Sequence, residues 1–202
     1  MSAMFANCYA LKNVDVSSFD TSSVGDMNSI FYNCSSLTSL DFSGLDFHTM
    51  SVIGEIFNGA SNLLSVNLSK TKFSSVTTLY GLLGGASAVK TLNLSGADFS
   101  SVTDISSDFA VGNTALESIN LSGVNFSSLT KAQAMFNSCS VLETVDFRGI
   151  DTSKLTNSSS VFNNVNGAKI YVSSNTDKTN IENMLTASSA SANGPGTGAT
   201  PR

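Results

Sequence analysis

Apolar and polar residues follow one another along the chain in a pattern that returns about every 26 residues. The copy Leu37-Thr-Ser-Leu40-Asp41-Phe42-Ser43 is followed by Leu63-Leu-Ser-Val66-Asn67-Leu68-Ser69, and equivalent copies begin at residues 11, 89, 116 and 142. In each copy a polar residue lies between two apolar ones, which is the two-residue period of a short β-strand. Because so short a strand is not stable alone, the repeat predicts coils that stack in register into a solenoid.

Between the strands, a second apolar pattern has the spacing of an α-helix. Val24, Met27, Ile30, Phe31 and Cys34 lie at steps of three, three, one and three, and residues 50–60 repeat the pattern. Such steps place side chains on one face of a helix. We therefore predict an α/β solenoid of about six full 26-residue coils, with a parallel β-sheet on one face and short helices on the other.

The thirteen phenylalanines all fall at apolar positions of the repeat. We predict that they form the core, with an exposed aromatic binding stripe as the alternative. The two largest columns are Phe5, Phe31, Phe57, Phe109, Phe136 and Phe162, and Phe47, Phe73, Phe99 and Phe126.

Three coils carry a cysteine at the same repeat position: Cys8, Cys34 and Cys139. Alanine fills this position in other coils, so the pattern predicts a small apolar site with buried free thiols. A disulfide between Cys8 and Cys34 of neighbouring coils is the alternative. The chain has no Cys-x-x-Cys pair and no spacing typical of a zinc site.

Composition changes this picture by showing how the surface is made. Only 12 % of the 202 residues are charged, about half the share of an average globular domain, whereas 37 are serine. A net charge of −5 without a basic cluster argues against nucleic acid as a partner, and no apolar run is long enough for membrane insertion. With a single histidine, His48, the chain has little material for His-based catalysis or metal binding. We expect no enzyme activity, no cofactor and no metal.

The polar position of the strands forms a column that is predicted to face solvent. We interpret this column and the hydroxyls beside it as a ligand face on which contacts spread over several coils. The alternatives are a purely structural ladder of hydrogen bonds, a cation between Asp15 and Asp41, or a carboxylate pair for glycoside hydrolysis. The predicted face consists of Asp15, Asp41, Asn67, Asn93, Asn120 and Asp146, together with Ser39, Ser65, Thr91 and Ser118.

Several short motifs resemble a known repeat family. They are Met4-Phe5-Ala6-Asn7-Cys8, Met135-Phe136-Asn137-Ser138-Cys139 and Phe19-Asp20-Thr21-Ser22. These segments, within a repeat covering residues 4–172, resemble the BspA-like leucine-rich repeats of bacterial surface proteins. The resemblance implies a leucine-rich-repeat solenoid in an extracellular or cell-surface protein. It also implies adhesion through binding of a host or matrix protein or glycan.

The function classes that remain open are a recognition module, a structural spacer without a ligand and, as a third alternative, a carbohydrate-active enzyme. We expect a monomer. The chain starts inside a repeat and carries neither a secretion signal nor a wall-sorting motif, so we expect it to be a block from a longer protein. We predict a solenoid over residues 1–172, a capping helix over 173–185 with Thr176 as its N-cap, and a flexible tail over 186–202.

Overall fold

The computed structural model describes residues 1–106, 109–188 and 200–201. A 3-10 turn covers Thr152–Lys154, and the other elements are mostly three-residue strands. In chain order they are β1 (Ser39–Asp41), β2 (Val52–Gly54), β3 (Ser65–Asn67), β4 (Thr78–Tyr80), β5 (Thr91–Asn93), β6 (Ser118–Asn120), β7 (Thr144–Asp146), β8 (Lys169–Val172), α1 (Asn175–Ser188) and β9 (Thr200–Pro201).

The main sheet is parallel throughout, in the order β1-β3-β5-β6-β7-β8-β9. From β1 to β8 each strand pairs with its equivalent one coil further on, so that Leu40 lies beside Val66 and Val66 beside Leu92. These six strands mark about five turns of a solenoid, and the predicted repeat solenoid with a parallel sheet is confirmed. The copy at residues 11–17 forms no strand. The preceding residues 3–7 bond to the equivalent segment 28–32 of the next coil, and in the 11–17 segment Lys12 O accepts from Thr38 N at 3.2 Å.

Two further lines of parallel pairing join the coils away from the main sheet. One is the pair β2 and β4, which single bridges continue to residues 104, 131 and 157. The other consists of bridges that link residues 46, 72, 98 and 125. Backbone hydrogen bonds between neighbouring coils therefore run along these two lines as well as along the main sheet, and this pairing satisfies backbone groups that short strands alone would leave unpaired.

The predicted short helices at 24–34 and 50–60 are wrong, because these segments consist mainly of turns and β2. Tyr32 N donates to Ser29 O at 3.0 Å, whereas Phe31 N donates to Ile56 O of the next coil at 3.1 Å. Backbone N–H groups thus alternate between a local turn and the neighbouring coil. Left-handed residues, such as Ser29 (φ 56°) and Asn33 (φ 57°), also interrupt any helix. The apolar side chains remain buried, so the pattern indicated burial correctly and helix wrongly.

The aromatic columns form the core, as the sequence predicts. Eleven of the thirteen phenylalanines are fully buried, and Phe5 and Phe19 are half-buried. Phe73 and Phe99 stack with ring centroids 5.1 Å apart, and Phe99 and Phe126 stack at 5.2 Å. Offset-stacked pairs contribute beyond their buried area, and here they run along the solenoid axis from coil to coil.

Helix α1 packs against the last coil through Ile181 and Met184, which are buried. Its N-cap is Ser174 and the predicted Thr176 is wrong, because Ser174 Oγ accepts a hydrogen bond from Asp177 N at 3.0 Å. Ser174 Oγ also donates to Asp177 Oδ2 at 2.6 Å, which fixes the first turn. Of the predicted tail, residues 189–199 and 202 lie outside the described residues. Residues 200–201 form β9, which pairs with β8.

Candidate functional site

The main sheet presents its outward side chains in two columns, which we call the strand face. The middle residue of each three-residue strand points inward and is buried, from Leu40 in β1 to Val145 in β7. The residues on either side of it therefore point outward. The first column is Ser39, Ser65, Thr91, Ser118, Thr144 and Lys169. The second is Asp41, Asn67, Asn93, Asn120, Asp146 and Tyr171.

The acidic and amide side chains of the second column end each strand by a local turn. At each aspartate or asparagine in this repeat position the side-chain oxygen accepts a hydrogen bond from the backbone N–H two residues further on, the pattern of an Asx turn. Asp41 accepts from Ser43 at 2.8 Å, and Asn120 accepts from Ser122 at 2.9 Å. The same bond recurs at Asp15, Asn67, Asn93 and Asp146, at 2.9, 3.1, 3.0 and 3.2 Å. These residues thus have a structural role in the repeat.

The turn also fixes which way each amide points. Because the backbone group is a donor, the amide oxygen must face it and the NH₂ group lies on the other side. Asn67 Nδ2 donates to Asp41 Oδ2 of the preceding coil at 3.1 Å. Nδ2 of Asn93 and of Asn120 has no protein partner within the described ranges. The ladder of side-chain bonds that would make this column purely structural is therefore incomplete.

These two asparagines lie in a shallow depression of about 400 Å³ on the strand face. The depression crosses strands β5 to β8, and Tyr171 takes the position in β8 that Asp146 takes in β7. Its outward lining consists of Thr91, Asn93, Ser118, Asn120, Thr144, Asp146 and Tyr171. A polar concave surface with one aromatic side chain is thus present on the predicted face.

A larger depression of about 600 Å³ lies between α1 and the turn that precedes β8. The residues that line it also hold the helix in place. Thr152 Oγ1 donates to Asp177 Oδ1 at 2.7 Å and accepts from Asn180 Nδ2 at 3.0 Å, and Met184 is buried there. We therefore assign this depression to the docking of α1.

Hydrogen bonds stabilise the charged form of the carboxylates on the strand face. At Asp41, burial opposes ionisation, but hydrogen bonds from Ser43 and Asn67 outweigh burial and lower its pKa. Asp146 forms an ion pair with Arg148, and Asp146 beside this guanidinium raises the pKa of Arg148. The carboxylate that lines the depression is thus balanced by a cation.

The predicted face residues are brought together with one exception. Asp15 makes its Asx turn but lies in the coil without a strand. Asp41 and Asp146 are four strand spacings apart, about 19 Å, whereas the carboxyl groups of glycosidases are roughly 5–10 Å apart. The carboxylates of the main sheet therefore do not form a hydrolytic pair.

No group of three or more His, Cys, Asp or Glu side chains that could hold a metal ion occurs in the described part of the chain. His48 is exposed, and its Nδ1 lies 2.7 Å from Asp46 Oδ1. Among the described residues, no helix is both long and apolar enough to cross a membrane.

The cysteines are free, with Cys34 and Cys139 buried and Cys8 exposed. The predicted burial thus fails at Cys8, and the alternative disulfide with Cys34 is absent. Cys139 Sγ donates to Ala110 O at 3.0 Å, and burial raises the pKa of this thiol to about 11. Asn113 takes the same repeat position in its coil, and its buried Nδ2 donates to Ala86 O at 3.1 Å. Where this position holds cysteine or asparagine in the core, the side chain therefore donates to a backbone carbonyl of the preceding coil.

The sequence prediction of the face missed Tyr171. A degenerate further copy of the repeat, Ala168-Lys-Ile170-Tyr171-Val172, follows 26 residues after the copy at 142. Aligning it with the strand before it places Tyr171 at the position of Asp146.

Comparison with known proteins gives a family. Residues 1–93 and 77–194 both match the family described as "Mycoplasma protein of unknown function, DUF285". No curated protein matches the chain. The two family matches together span residues 1–194 and include every coil of the solenoid. The chain therefore belongs to the DUF285 family.

Proposed function

We propose that the chain is a non-enzymatic recognition module that binds a macromolecule, a protein or a glycan, through the strand face. Its setting is the cell surface or the extracellular space, where BspA-like repeats act in adhesion. It works as a monomer, and its acidic composition disfavours nucleic acid as a partner.

The observation that carries this proposal is a difference between the ladders of the solenoid. Away from the main sheet, polar side chains pair across coils: Lys72 with Asp46, and Asn125 with Asp98. On β5 to β7, the hydroxyls of the first column and the amide NH₂ groups of the second have no protein partner within the described residues. Polar groups that are ordered but unused by the fold are available to a ligand.

Lysine substitutions on the first column test the proposal without disturbing the Asx turns. The variant Ser65→Lys/Thr91→Lys/Ser118→Lys places three long cations on the strand face. Lysine fits this column, because Lys169 already occupies it beside Thr144. We expect the variant to remain folded, with a melting temperature lowered by repulsion between lysines on adjacent strands, and to lose capture of glycans or matrix proteins that the natural chain binds.

The matched control carries lysines on another side of the coils. Ser23, Ser75 and Ser128 are exposed and share a repeat position with the native Lys154. The variant Ser23→Lys/Ser75→Lys/Ser128→Lys has the same charge and should bind normally. Equal loss in both variants would indicate a charge effect and contradict the proposed face. If the natural chain is a folded monomer that captures neither glycans nor matrix proteins, the structural spacer would be favoured instead.

A further inference from the structure

We infer that the depression over β5 to β8 binds a neutral glycan. This inference rests on the proposed function and names the ligand class and the place on the strand face where it binds. Its starting point is that the depression coincides with the two amides, Asn93 and Asn120, whose donors the fold leaves unused.

The donors of the depression are fixed in position before any ligand arrives. Asn93 and Asn120 sit opposite each other in neighbouring strands, at a spacing of about 4.8 Å. Each amide is held by its Asx turn, and Asn120 Oδ1 accepts from both N and Oγ of Ser122, at 2.9 and 2.7 Å. Binding would therefore cost little side-chain entropy. The hydroxyls of Thr91 and Ser118 add groups that both donate and accept.

A saccharide fits this chemistry better than a protein does. Sugar hydroxyls both donate and accept hydrogen bonds, whereas protein interfaces depend on aromatic, Met and Arg anchors in apolar surroundings. The exposed large apolar side chains of this chain, such as Met4 and Tyr9, lie outside the depression. Tyr171 supplies an aromatic ring at one end of the depression, against which the C–H groups of a sugar ring can pack.

The charges favour a neutral glycan over an anionic one. Asp146, the one carboxylate in the lining, is balanced by Arg148. The chain as a whole carries a net charge of −5, which repels anionic polymers. A neutral oligosaccharide does not meet this repulsion.

The test uses the full chain on an array of neutral and anionic oligosaccharides and on matrix proteins before and after enzymatic deglycosylation. Titration calorimetry then gives the affinity for a neutral oligosaccharide that binds. In Asn93→Asp/Asn120→Asp both donors are removed while the Asx acceptors stay, as the native Asp41 and Asp146 demonstrate. We expect this variant to lose affinity by about tenfold or more.

Tyr171 provides a second, independent variant. Tyr171→Ala should weaken binding by about tenfold, whereas Tyr171→Phe, which keeps the ring, should stay within about threefold. Asn13→Asp, which adds a charge in the first coil and outside the strand face, is the control that should bind as the natural chain does.

The outcomes separate this inference from the proposed function. A neutral glycan whose affinity does not change in Asn93→Asp/Asn120→Asp and in Tyr171→Ala would overturn the inference. A different result is that the chain captures a deglycosylated protein and that lysines on the strand face abolish this capture. That result would overturn the inference of a glycan ligand but would support the proposed recognition module. Failure to bind any glycan or protein would overturn both.

Discussion

Replacing Phe99 by alanine removes a ring from the middle of the aromatic column and should be among the most costly single changes in this chain. Phe99 is fully buried, and its ring stacks on Phe73 and on Phe126 with interplanar angles of 14° and 15°. Truncation of a buried phenylalanine costs about 3–5 kcal/mol. Because both stacked neighbours lose their partner, we expect a value near the upper end, about 4–5 kcal/mol.

Phe5 is the matched control at the edge of the other column. It is half-buried and has one described ring neighbour, Phe31, at a centroid distance of 5.3 Å. Its replacement by alanine should cost about 1–2 kcal/mol. Phe99→Leu, which keeps apolar volume and loses the ring, should fall between the two at about 1–2.5 kcal/mol.

Urea unfolding followed by far-UV circular dichroism measures these differences. With a denaturant slope of about 2–3 kcal/mol/M, Phe99→Ala should lower the midpoint by about 1.5–2 M and Phe5→Ala by about 0.5 M. Since each coil contacts only its neighbours, amide exchange in β5 and β6 should also accelerate before exchange elsewhere. Equal midpoint shifts for the two alanine variants would refute the view that stacking between coils dominates the stability of this column.

Three further predictions concern hydrogen bonds, pH and thiols. Asn93→Ala loses the Asx turn and should cost about 1 kcal/mol in thermal unfolding, whereas Asn93→Asp, between the neutral Asn67 and Asn120, should stay within about 0.5 kcal/mol; equal losses would contradict the role of the turn. Hydrogen bonds, chiefly from Lys72, lower the pKa of Asp46 to about 2, so this carboxylate stabilises the fold above pH about 4 and loses that effect as pH falls towards 2. The melting temperatures of natural chain and Asp46→Asn should therefore converge between pH 5 and 2, and a constant difference would argue against the pair. An aromatic disulfide reagent at pH 8 should react at once with the exposed Cys8, and with Cys139 only after unfolding, as counted by released thiolate; rapid reaction of Cys139 would contradict its burial.

The solenoid and its core could be predicted because every coil repeats the same order of apolar and polar residues. A strand of one polar residue between two apolar ones, such as Leu40-Asp41-Phe42, has one side for the core and one for solvent. Six copies of that pattern leave little freedom for the register. The helices were mispredicted because spacings of three and four are met both by a helix and by successive turns.

Backbone handedness distinguishes those two alternatives, and the sequence carries a trace of it. The left-handed position of Asn33 holds glycine in three other coils, at Gly59, Gly85 and Gly112. Glycine and asparagine recurring at one position point to positive φ and argue against a helix. The depression on the strand face could not be predicted from the sequence. Its shape depends on how unlike side chains, above all Tyr171, meet across coils that the repeat pattern treats as equivalent.

Because the strands pair only between adjacent coils, whole repeats of about 26 residues can be removed or added without disturbing distant coils. Excising residues 39–64 would join Thr38 directly to Ser65, the register partner of Ser39 in the next coil, and would leave β5 to β8 untouched. Duplication of a period would lengthen the strand face by one strand spacing, about 4.8 Å. Such a scaffold lets evolution vary the length of the solenoid in discrete steps while one local site keeps its shape.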